Sequence, residues 1–316
     1  MEEEKENEIY DRQIRLWGLE AQKRMRSAKI FVVGMNTLNS ELCKNLVLAG
    51  IGVTVHDLEL ICPQDVGCQF FFEEAHLGQN RAVVAAAALR ELNPLVEVEV
   101  ESAPLEDLTE DFFTRFQGVC LSSTAVAKTS QFRINQICRK QGSAFYSSCS
   151  FGFNGWIFCD LNHHEYQRDG GQGKPGEVFE LDFPSMEDAL ATPWSSLKDR
   201  FGYPPKALIQ GLVLLDFQEQ YRRNPLPEDQ DYLSLKSLME TLLKSNGMNK
   251  DFITEEELRH LQEVAGVELT PICAILGGIW GQEMIKAISA KGEPLRNMFV
   301  LSGLSGEGKV IQMPRA

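Results

Sequence analysis

Short apolar runs alternate along the chain with longer stretches in which apolar residues recur at helical spacing. The clearest unit lies near the N-terminus and consists of an apolar run, a glycine, a helical pattern and a second apolar run: Ile30 to Val33, Gly34, Leu38 to Ala49, and Val53 to His56. This order predicts a strand, a turn, a helix and a strand. Residues 29 to 59 therefore have the outline of a nucleotide-binding unit.

The same alternation continues as far as residue 160. The pattern predicts, in order, a helix at Arg81 to Leu92, a strand at Val96 to Val100, a short helix at Glu110 to Phe116, a strand at Gly118 to Ser122, a helix at Val126 to Lys140, and a strand at Ala144 to Ser148. Strands that alternate with helices favour a parallel sheet covered on both faces. We therefore predict an α/β fold with a doubly wound, mainly parallel sheet over residues 27 to 160, in which Phe151 to Asp160 begins an antiparallel part. An amphipathic helix over residues 9 to 28, interrupted near Gly18, precedes this core.

The second half of the chain changes character twice. Residues 163 to 177 are polar and glycine-rich, which indicates a mobile loop, whereas residues 185 to 264 have helical patterns and no strand pattern. Amphipathic helices are predicted at Pro205 to Tyr221, Tyr232 to Ser245, and Thr254 to Val264, the last with a capping box. A very apolar helix and two short strands follow at Pro271 to Ser289, Met298 to Leu301, and Lys309 to Gln312.

These changes divide the chain into five predicted segments. They are an acidic disordered tail (1–8), an N-terminal arm with the α/β core (9–160), a polar loop with a return strand (161–184), a small helical insertion (185–265), and a C-terminal helix with strands that completes the fold (266–316). The helix in the last segment contains Gly277, Gly278 and Gly281. Each glycine weakens a helix by about 1 kcal/mol relative to alanine. Their presence predicts close packing of another backbone, either in the core or at a subunit interface.

Composition excludes several classes of function. The 316 residues carry a formal net charge of −14, which argues against nucleic acid as a partner because phosphate binding needs a basic surface. No run of eighteen apolar residues occurs and the N-terminus is acidic, so we expect a soluble, intracellular protein without membrane contact. Eight scattered cysteines without a C-x-x-C pair predict reduced, mostly buried thiols. Adjacent His163 and His164 diverge on a loop, so we expect no metal site there.

The predicted turn after the first strand lacks most of the glycines of a phosphate-binding loop. A dinucleotide-binding turn reads G-x-G-x-x-G, because only glycine lets the backbone approach a phosphate. Here Gly34 is followed by Asn36 and Asn39 at the second and third glycine positions. The fold is therefore predicted to persist while nucleotide binding in this chain is in question.

Three stretches of the chain, in this order, resemble the ubiquitin-like-protein activating enzymes. They are Tyr10 to Gly18 (YDRQIRLWG), the Val33-Gly34 turn with Glu41 in the next helix, and Pro271 to Lys286 with its ending GGxxxQExxK. The resemblance covers nearly the whole chain and implies a Rossmann-like adenylation fold. It also implies a pair of such folds, of which one binds ATP and magnesium, adenylates a small modifier and passes it to a catalytic cysteine.

The chain departs from the active pattern of that family at several positions. Glu59 stands where the family has the second aspartate of a ribose-binding pair begun by Asp57, and Gly67-Cys68-Gln69-Phe70 replaces an Asn-Arg-Gln-Phe step that holds a phosphate-binding arginine. Ser122 to Thr124 occupy the region of the magnesium-binding aspartate, and hydroxyls are poor ligands for that cation. We therefore expect no cofactor in this chain, with ATP and magnesium in a partner subunit. The vestigial positions are Gly34, Asp57, Glu59 and Arg81.

The resemblance transfers the chemical role to Arg12. In this family, the arginine of the Tyr-x-Arg-Gln step reaches across a heterodimer to the ATP phosphates of the partner's site. Arg15 is the second candidate, as an ion-pair residue within the interface. The length of the chain and the lack of a catalytic-cysteine domain favour the short, non-catalytic subunit of the SUMO-activating branch. Its expected partner is the larger catalytic subunit, with SUMO contacted indirectly, in the nucleus and cytoplasm.

Two other interpretations remain open at the level of the sequence. The chain could be the equivalent subunit of the neddylation branch, although that subunit is typically much longer. It could also be a self-contained enzyme, either a homodimeric adenylating protein of the sulfur-carrier type or an NAD-dependent oxidoreductase. The altered glycine turn argues against both self-contained enzymes, and the paired C-x-x-C zinc motifs common in the sulfur-carrier type are absent from the sequence.

Overall fold

An eight-stranded sheet forms the centre of the protein in the computed structural model, which describes residues 9–168, 176–197 and 204–313. The strand order is β10-β9-β6-β5-β4-β1-β2-β3. The strands of this sheet are β1 (Lys29–Val33), β2 (Gly52–His56), β3 (Val98–Glu101), β4 (Gly118–Ser122), β5 (Ala144–Phe151), β6 (Asn154–Asp160), β9 (Met298–Ser302) and β10 (Glu307–Ile311). A separate hairpin contains β7 (His163–Arg168) and β8 (Glu177–Asp182).

The first five strands run parallel, and the later ones extend the sheet in antiparallel fashion. Strands β1, β2 and β4 are almost wholly buried, because helices cover both faces of the sheet there. Chain order reverses direction between β1 and β4, which are adjacent in the sheet. The predicted doubly wound, mainly parallel sheet and its antiparallel continuation are therefore confirmed.

The helices form two layers, one on each face of the sheet. One face is covered by α2 (Leu19–Ser27), α3 (Thr37–Leu48), α4 (Arg81–Leu92) and α11 (Thr270–Ser289). The other face is covered by α5 (Glu110–Phe113), α6 (Lys128–Gln141), α7 (Met186–Leu190), α8 (Lys206–Tyr221), α9 (Asp229–Ser245) and α10 (Glu255–Val264). An outer helix, α1 (Asp11–Trp17), precedes α2 and buries none of its residues.

The N-terminal arm is the pair α1 and α2, and Gly18 separates them. Gly18 has φ +85°, a conformation that glycine adopts readily, so the predicted interruption is confirmed. Tyr10 is buried, and its hydroxyl accepts a hydrogen bond from Asn93 Nδ2 at 2.8 Å. Gln13 Nε2 donates to the carbonyl of Leu48 at 3.2 Å. The arm is thereby fixed to the C-terminal ends of α3 and α4.

The predicted mobile loop over residues 163 to 177 is wrong for the described part of that range. Polar residues there form strand β7, which pairs with β8 from His163–Asp182 to Arg168–Glu177. Tyr166 is buried and stacks on Phe179, so one aromatic pair holds an otherwise exposed hairpin. His163 is exposed and bonded to Asp182, whereas His164 faces the opposite side, so the divergence of the two histidines is confirmed. The residues between 168 and 176 lie outside the described part.

Helix α8 differs from the amphipathic helix predicted at Pro205 to Tyr221. Its residues are apolar on nearly every side, and it packs on β6, β9 and α6. A helix that is apolar all round is buried rather than amphipathic. Helix α10 has the predicted capping box, in which Thr254 and Glu257 bond each other's backbone N–H groups. The five segment boundaries stay predictions, and the acidic tail lies outside the described residues.

Helix α11 lies against α3, and two of its three glycines account for the close approach. A Cβ atom at Gly277 would lie 2.7 Å from Glu41 Cβ and 3.1 Å from the backbone nitrogen of Leu42. At Gly281 it would lie 3.0 Å from Asn45 Cβ, whereas at Gly278 it would meet nothing within 4 Å. The predicted close packing is therefore confirmed within the core for Gly277 and Gly281; a Cβ at Gly278 meets no described residue, so a place for Gly278 at a subunit interface stays a prediction.

This difference predicts opposite effects of two neighbouring substitutions. Gly277→Ala forces α3 and α11 apart, so we expect the free energy of unfolding to fall by about 1–3 kcal/mol. Gly278→Ala adds a methyl group into open space and gains helix propensity, so it raises the free energy of unfolding by up to about 1 kcal/mol. Urea unfolding of both variants of the full chain measures the pair, and equal effects would contradict this packing.

Among the cysteines, none is in a disulfide; Cys62 and Cys68 are partly exposed and the other six are buried. Burial raises the pKa of the Cys43 thiol to about 12, so it stays protonated and unreactive. The prediction of reduced, mostly buried thiols is confirmed.

Within the described ranges, no helix combines the length and apolar character needed to cross a bilayer.

Candidate functional site

A cavity of about 440 Å³ opens at the carboxyl ends of β1, β2 and β4. Its lining includes the turn after β1, the residues that follow β2, and the loop from Thr124 to Ala127 after β4. Ligands of doubly wound folds bind in this crevice, where the strand order reverses. The cavity therefore corresponds to the nucleotide site predicted for the fold, and its side chains decide whether it can act as one.

The turn after β1 is held by asparagine side chains where glycines were expected. Gly34 has φ +86°, and a Cβ there would lie 2.8 Å from Ala125 Cβ, so this position requires glycine. The Asn36 carboxamide caps α3 by accepting from the N–H of Asn39 at 3.0 Å. The Asn39 carboxamide donates to the carbonyls of Val33 and Gly34 at 3.0 and 2.6 Å. The turn is thus closed by its own side chains.

The first N–H of α3 is occupied by a carboxylate from the far end of the chain. The backbone N–H of Thr37 donates to Glu268 Oε2 at 2.7 Å, although 231 positions separate the two residues. Burial raises the pKa of Glu268, while the Thr37 hydrogen bonds and the charge of Arg81 act in the opposite direction. A helix N-terminus favours an anion, and here the chain provides it.

Asp57, at the first ribose position, is turned toward the backbone. Its two carboxylate oxygens accept from the N–H groups of Met35 at 2.7 Å and Glu59 at 2.9 Å. The side chain is buried, and burial raises its pKa even though these hydrogen bonds lower it. Glu59, at the second ribose position, is exposed. Asp57 therefore braces two loops.

Arg81, the remaining cation of the vestigial set, is engaged by Asp65. Its Nε and Nη2 atoms lie 3.0 and 2.9 Å from the two oxygens of Asp65, a bidentate pair. Such a pair fixes the guanidinium plane. Arg81 is thereby directed to a protein carboxylate and does not extend freely toward a phosphate.

Hydroxyl groups stand at the carboxyl end of β4, where the family's metal-binding carboxylate is expected. Ser122 Oγ accepts from Asn36 Nδ2 at 3.0 Å and bonds the hydroxyl of Thr124 at 2.7 Å. Magnesium beside phosphates is usually bound through at least one carboxylate, which these hydroxyls do not supply. Together with Glu268 at the helix N-terminus and the closed turn, these residues do not fit ATP with magnesium.

The two arginines of the arm lie away from this cavity. Helix α3 begins at the cavity with Thr37 and ends with Leu48, which is bonded to Gln13 of the arm. Twelve residues of helix separate these ends by about 18 Å. Arg12 is exposed and has no hydrogen bond or ion pair to the described residues, whereas Arg15 pairs with Asp11 at 2.9 Å. Neither arginine is brought to the vestigial positions Gly34, Asp57, Glu59 and Arg81.

Sequence reasoning missed three residues that determine this geometry. Glu268 fills the helix N-terminus, Asp65 holds Arg81, and Tyr10 anchors the arm. The contact of Glu268 has no local signal, because its partner is 231 positions away. Tyr10 belongs to the YDRQ motif, and this position in the motif was the one signal that could have indicated its anchoring role.

Comparisons with known proteins agree on the family. The ThiF family model matches residues 10–316. A protein named SUMO-activating enzyme subunit 1 from Rattus norvegicus is 34% identical over 97% of this chain and 94% of its own length. Proteins of the same name from Bos taurus and Danio rerio are 35% and 32% identical, again over 97% of this chain.

Proposed function

The chain belongs to the ThiF family, and from that premise we propose that it is the non-catalytic small subunit of a SUMO-activating heterodimer. Its relatives along almost the full length are named SUMO-activating enzyme subunit 1. In this proposal the larger partner subunit adenylates SUMO and carries the catalytic cysteine. This chain stabilises the partner and donates Arg12 to the partner's ATP site.

One observation carries the proposal, namely the position of Arg12 at the opposite end of α3 from the chain's own cavity. The separation of about 18 Å along α3 exceeds the reach of a side chain. Arg12 cannot act in that cavity, and it has no partner among the described residues that would give it a structural role. A guanidinium that is exposed on an anchored helix, and unpaired within the part of the chain that the structure describes, is available to a second protein.

The surroundings of Arg12 support contact with another chain. Ile9, Leu16 and Leu19 are 64%, 70% and 45% exposed on the same arm. Several large apolar side chains exposed on one short segment that also carries a cation are typical of protein interfaces rather than of a solvated surface. The arm is also held firmly from below by Tyr10 and Gln13. These two contacts fix the position of the helix that carries Arg12.

The chemistry of adenylation gives Arg12 its role. Attack of the modifier's C-terminal carboxylate on the α-phosphorus releases pyrophosphate, and negative charge accumulates on the departing oxygens. A guanidinium provides permanent charge and paired donors to such oxygens. Arg15, bound to Asp11, orients the arm or pairs across the interface. ATP and magnesium then belong to the partner, and SUMO contacts this chain only indirectly.

The assembly itself is the first test of this function. We expect the chain to purify from cells in equimolar complex with a larger, cysteine-bearing protein, and to form no modifier adenylate without it. A homodimer that adenylates a modifier alone would instead indicate the sulfur-carrier type. A complex with a neddylation subunit would assign the chain to that branch, which the names of the relatives disfavour. We also propose that the protein is located in the nucleus and, in part, in the cytoplasm.

A further inference from the structure

The N-terminus of helix α3 lies at the cavity, and two side chains of the same chain accept hydrogen bonds from its first turn. Asn36 accepts the N–H of Asn39, and Glu268 accepts the N–H of Thr37. The N-terminal N–H groups of a helix carry partial positive charge and bind phosphates in nucleotide-binding folds. A carboxylate oxygen at 2.7 Å from the Thr37 nitrogen takes the place that an oxyanion would take.

A second observation concerns the other oxygen of the same group. Glu268 Oε1 is buried and has no hydrogen-bond partner among the described residues. Burying a carboxylate with so few partners is costly unless a positive potential compensates. The helix N-terminus and the charge of Arg81 favour the ionised form, but burial outweighs them and leaves the pKa of Glu268 raised. Glu268 is therefore held at the anion position by its hydrogen bonds to Thr37 through one oxygen, while the other oxygen has no partner among the described residues.

We propose that Glu268 is an internal substitute for a phosphate oxyanion, which fills the anion position at the N-terminus of α3 and keeps nucleotide phosphates out. This rests on the proposed function in that it explains why the family's nucleotide site does not operate in this chain. Glu268 is a positioning residue, since it holds the turn and α3 without contacting a substrate. Asn36 and Asn39 close the rest of the turn, so only a small anion can replace the carboxylate.

The test removes the carboxylate and supplies a small anion in its place. In the full-length Glu268→Ala variant, we expect a Tm below that of the wild type. Inorganic phosphate or acetate, at the ionic strength of a chloride control, should raise the Tm of this variant by about 1.5 °C more than that of the wild type, the shift that about 1 kcal/mol of binding energy produces in a chain of 316 residues. General stabilisation by phosphate affects all variants alike and cancels in this difference.

Two variants serve as controls. Glu268→Gln keeps the space filled, so neither anion should raise its Tm beyond the wild-type shift. Glu283→Ala removes another part-buried carboxylate, which accepts from the N–H of Leu295 at 2.7 Å away from any helix N-terminus, and it should show no anion-specific gain. If Glu268→Ala does not fold in chloride, recovery of folded protein in acetate alone supports the proposal.

Equal anion shifts in Glu268→Ala and the wild type would overturn the proposal, as would failure to refold in either salt. The experiment contains neither a partner nor a modifier. A negative result therefore leaves the heterodimer proposal standing, and that proposal fails separately if no larger subunit assembles with the chain.

Discussion

Replacing Arg12 by alanine lowers the rate of modifier adenylation by the reconstituted heterodimer about 10³-fold. A drop of this size corresponds to about 4 kcal/mol of transition-state stabilisation, which is typical of an arginine supplied in trans to phosphate chemistry. Affinity for ATP should change far less, because the charge that the guanidinium meets develops in the transition state. Single-turnover formation of the adenylate, measured at saturating ATP, isolates this step.

Three companion variants make the Arg12 experiment specific. Arg12→Lys keeps the charge and loses the paired donors, so its rate should lie between those of the wild type and alanine. Arg15→Ala breaks an exposed pair with Asp11 and should cost less than about tenfold. Lys23→Ala, on the same arm and paired with Glu20, is the neutral control. The heterodimer mass must be unchanged in all of them.

A wild-type rate of adenylation in Arg12→Ala would contradict the role of this residue. A loss of assembly instead of rate would show that Arg12 contributes to the interface rather than to chemistry. The chemical role stays our proposal, which is supported by two features of the arm: exposed Leu16 and Leu19 offer the apolar contact area of an interface, and Arg12 adds a charge that no described residue neutralises.

The elements of the core were predictable from sequence because their signals are local. The helix at Arg81–Leu92 and the strand at Gly118–Ser122 have the predicted bounds, since periodicity and flanking turn residues define both. The hairpin β7–β8 was not predictable in the same way. Its first strand is almost entirely polar, and the pairing depends on the contact between Tyr166 and Phe179.

For the site, the sequence could predict only which expected residues are missing. Asn36 and Asn39 in place of glycines indicated a changed turn, and the structure shows how their carboxamides close it. The residues that occupy the N-terminus of α3 and the Arg81 guanidinium had no signal in the sequence. Glu268 reaches Thr37 across 231 positions and Asp65 captures Arg81 across 16, and contacts of this kind leave no periodic pattern.

The same geometry predicts the second large effect, which is the loss of nucleotide binding in this chain. The turn is closed, Glu268 fills the helix N-terminus, and hydroxyls stand where a metal-binding carboxylate is expected. Each change weakens phosphate or metal binding by an amount comparable to a charged hydrogen bond, about 1.5–3 kcal/mol. Together they raise the expected Kd for ATP from the micromolar range to above about 1 mM.

Calorimetric titration of the isolated chain with ATP and magnesium tests the central claim, that the nucleotide chemistry lies in the partner subunit. We predict no saturable heat with this chain alone and micromolar binding, at one ATP per complex, with the reconstituted heterodimer. Micromolar binding of ATP by this chain alone would contradict the account.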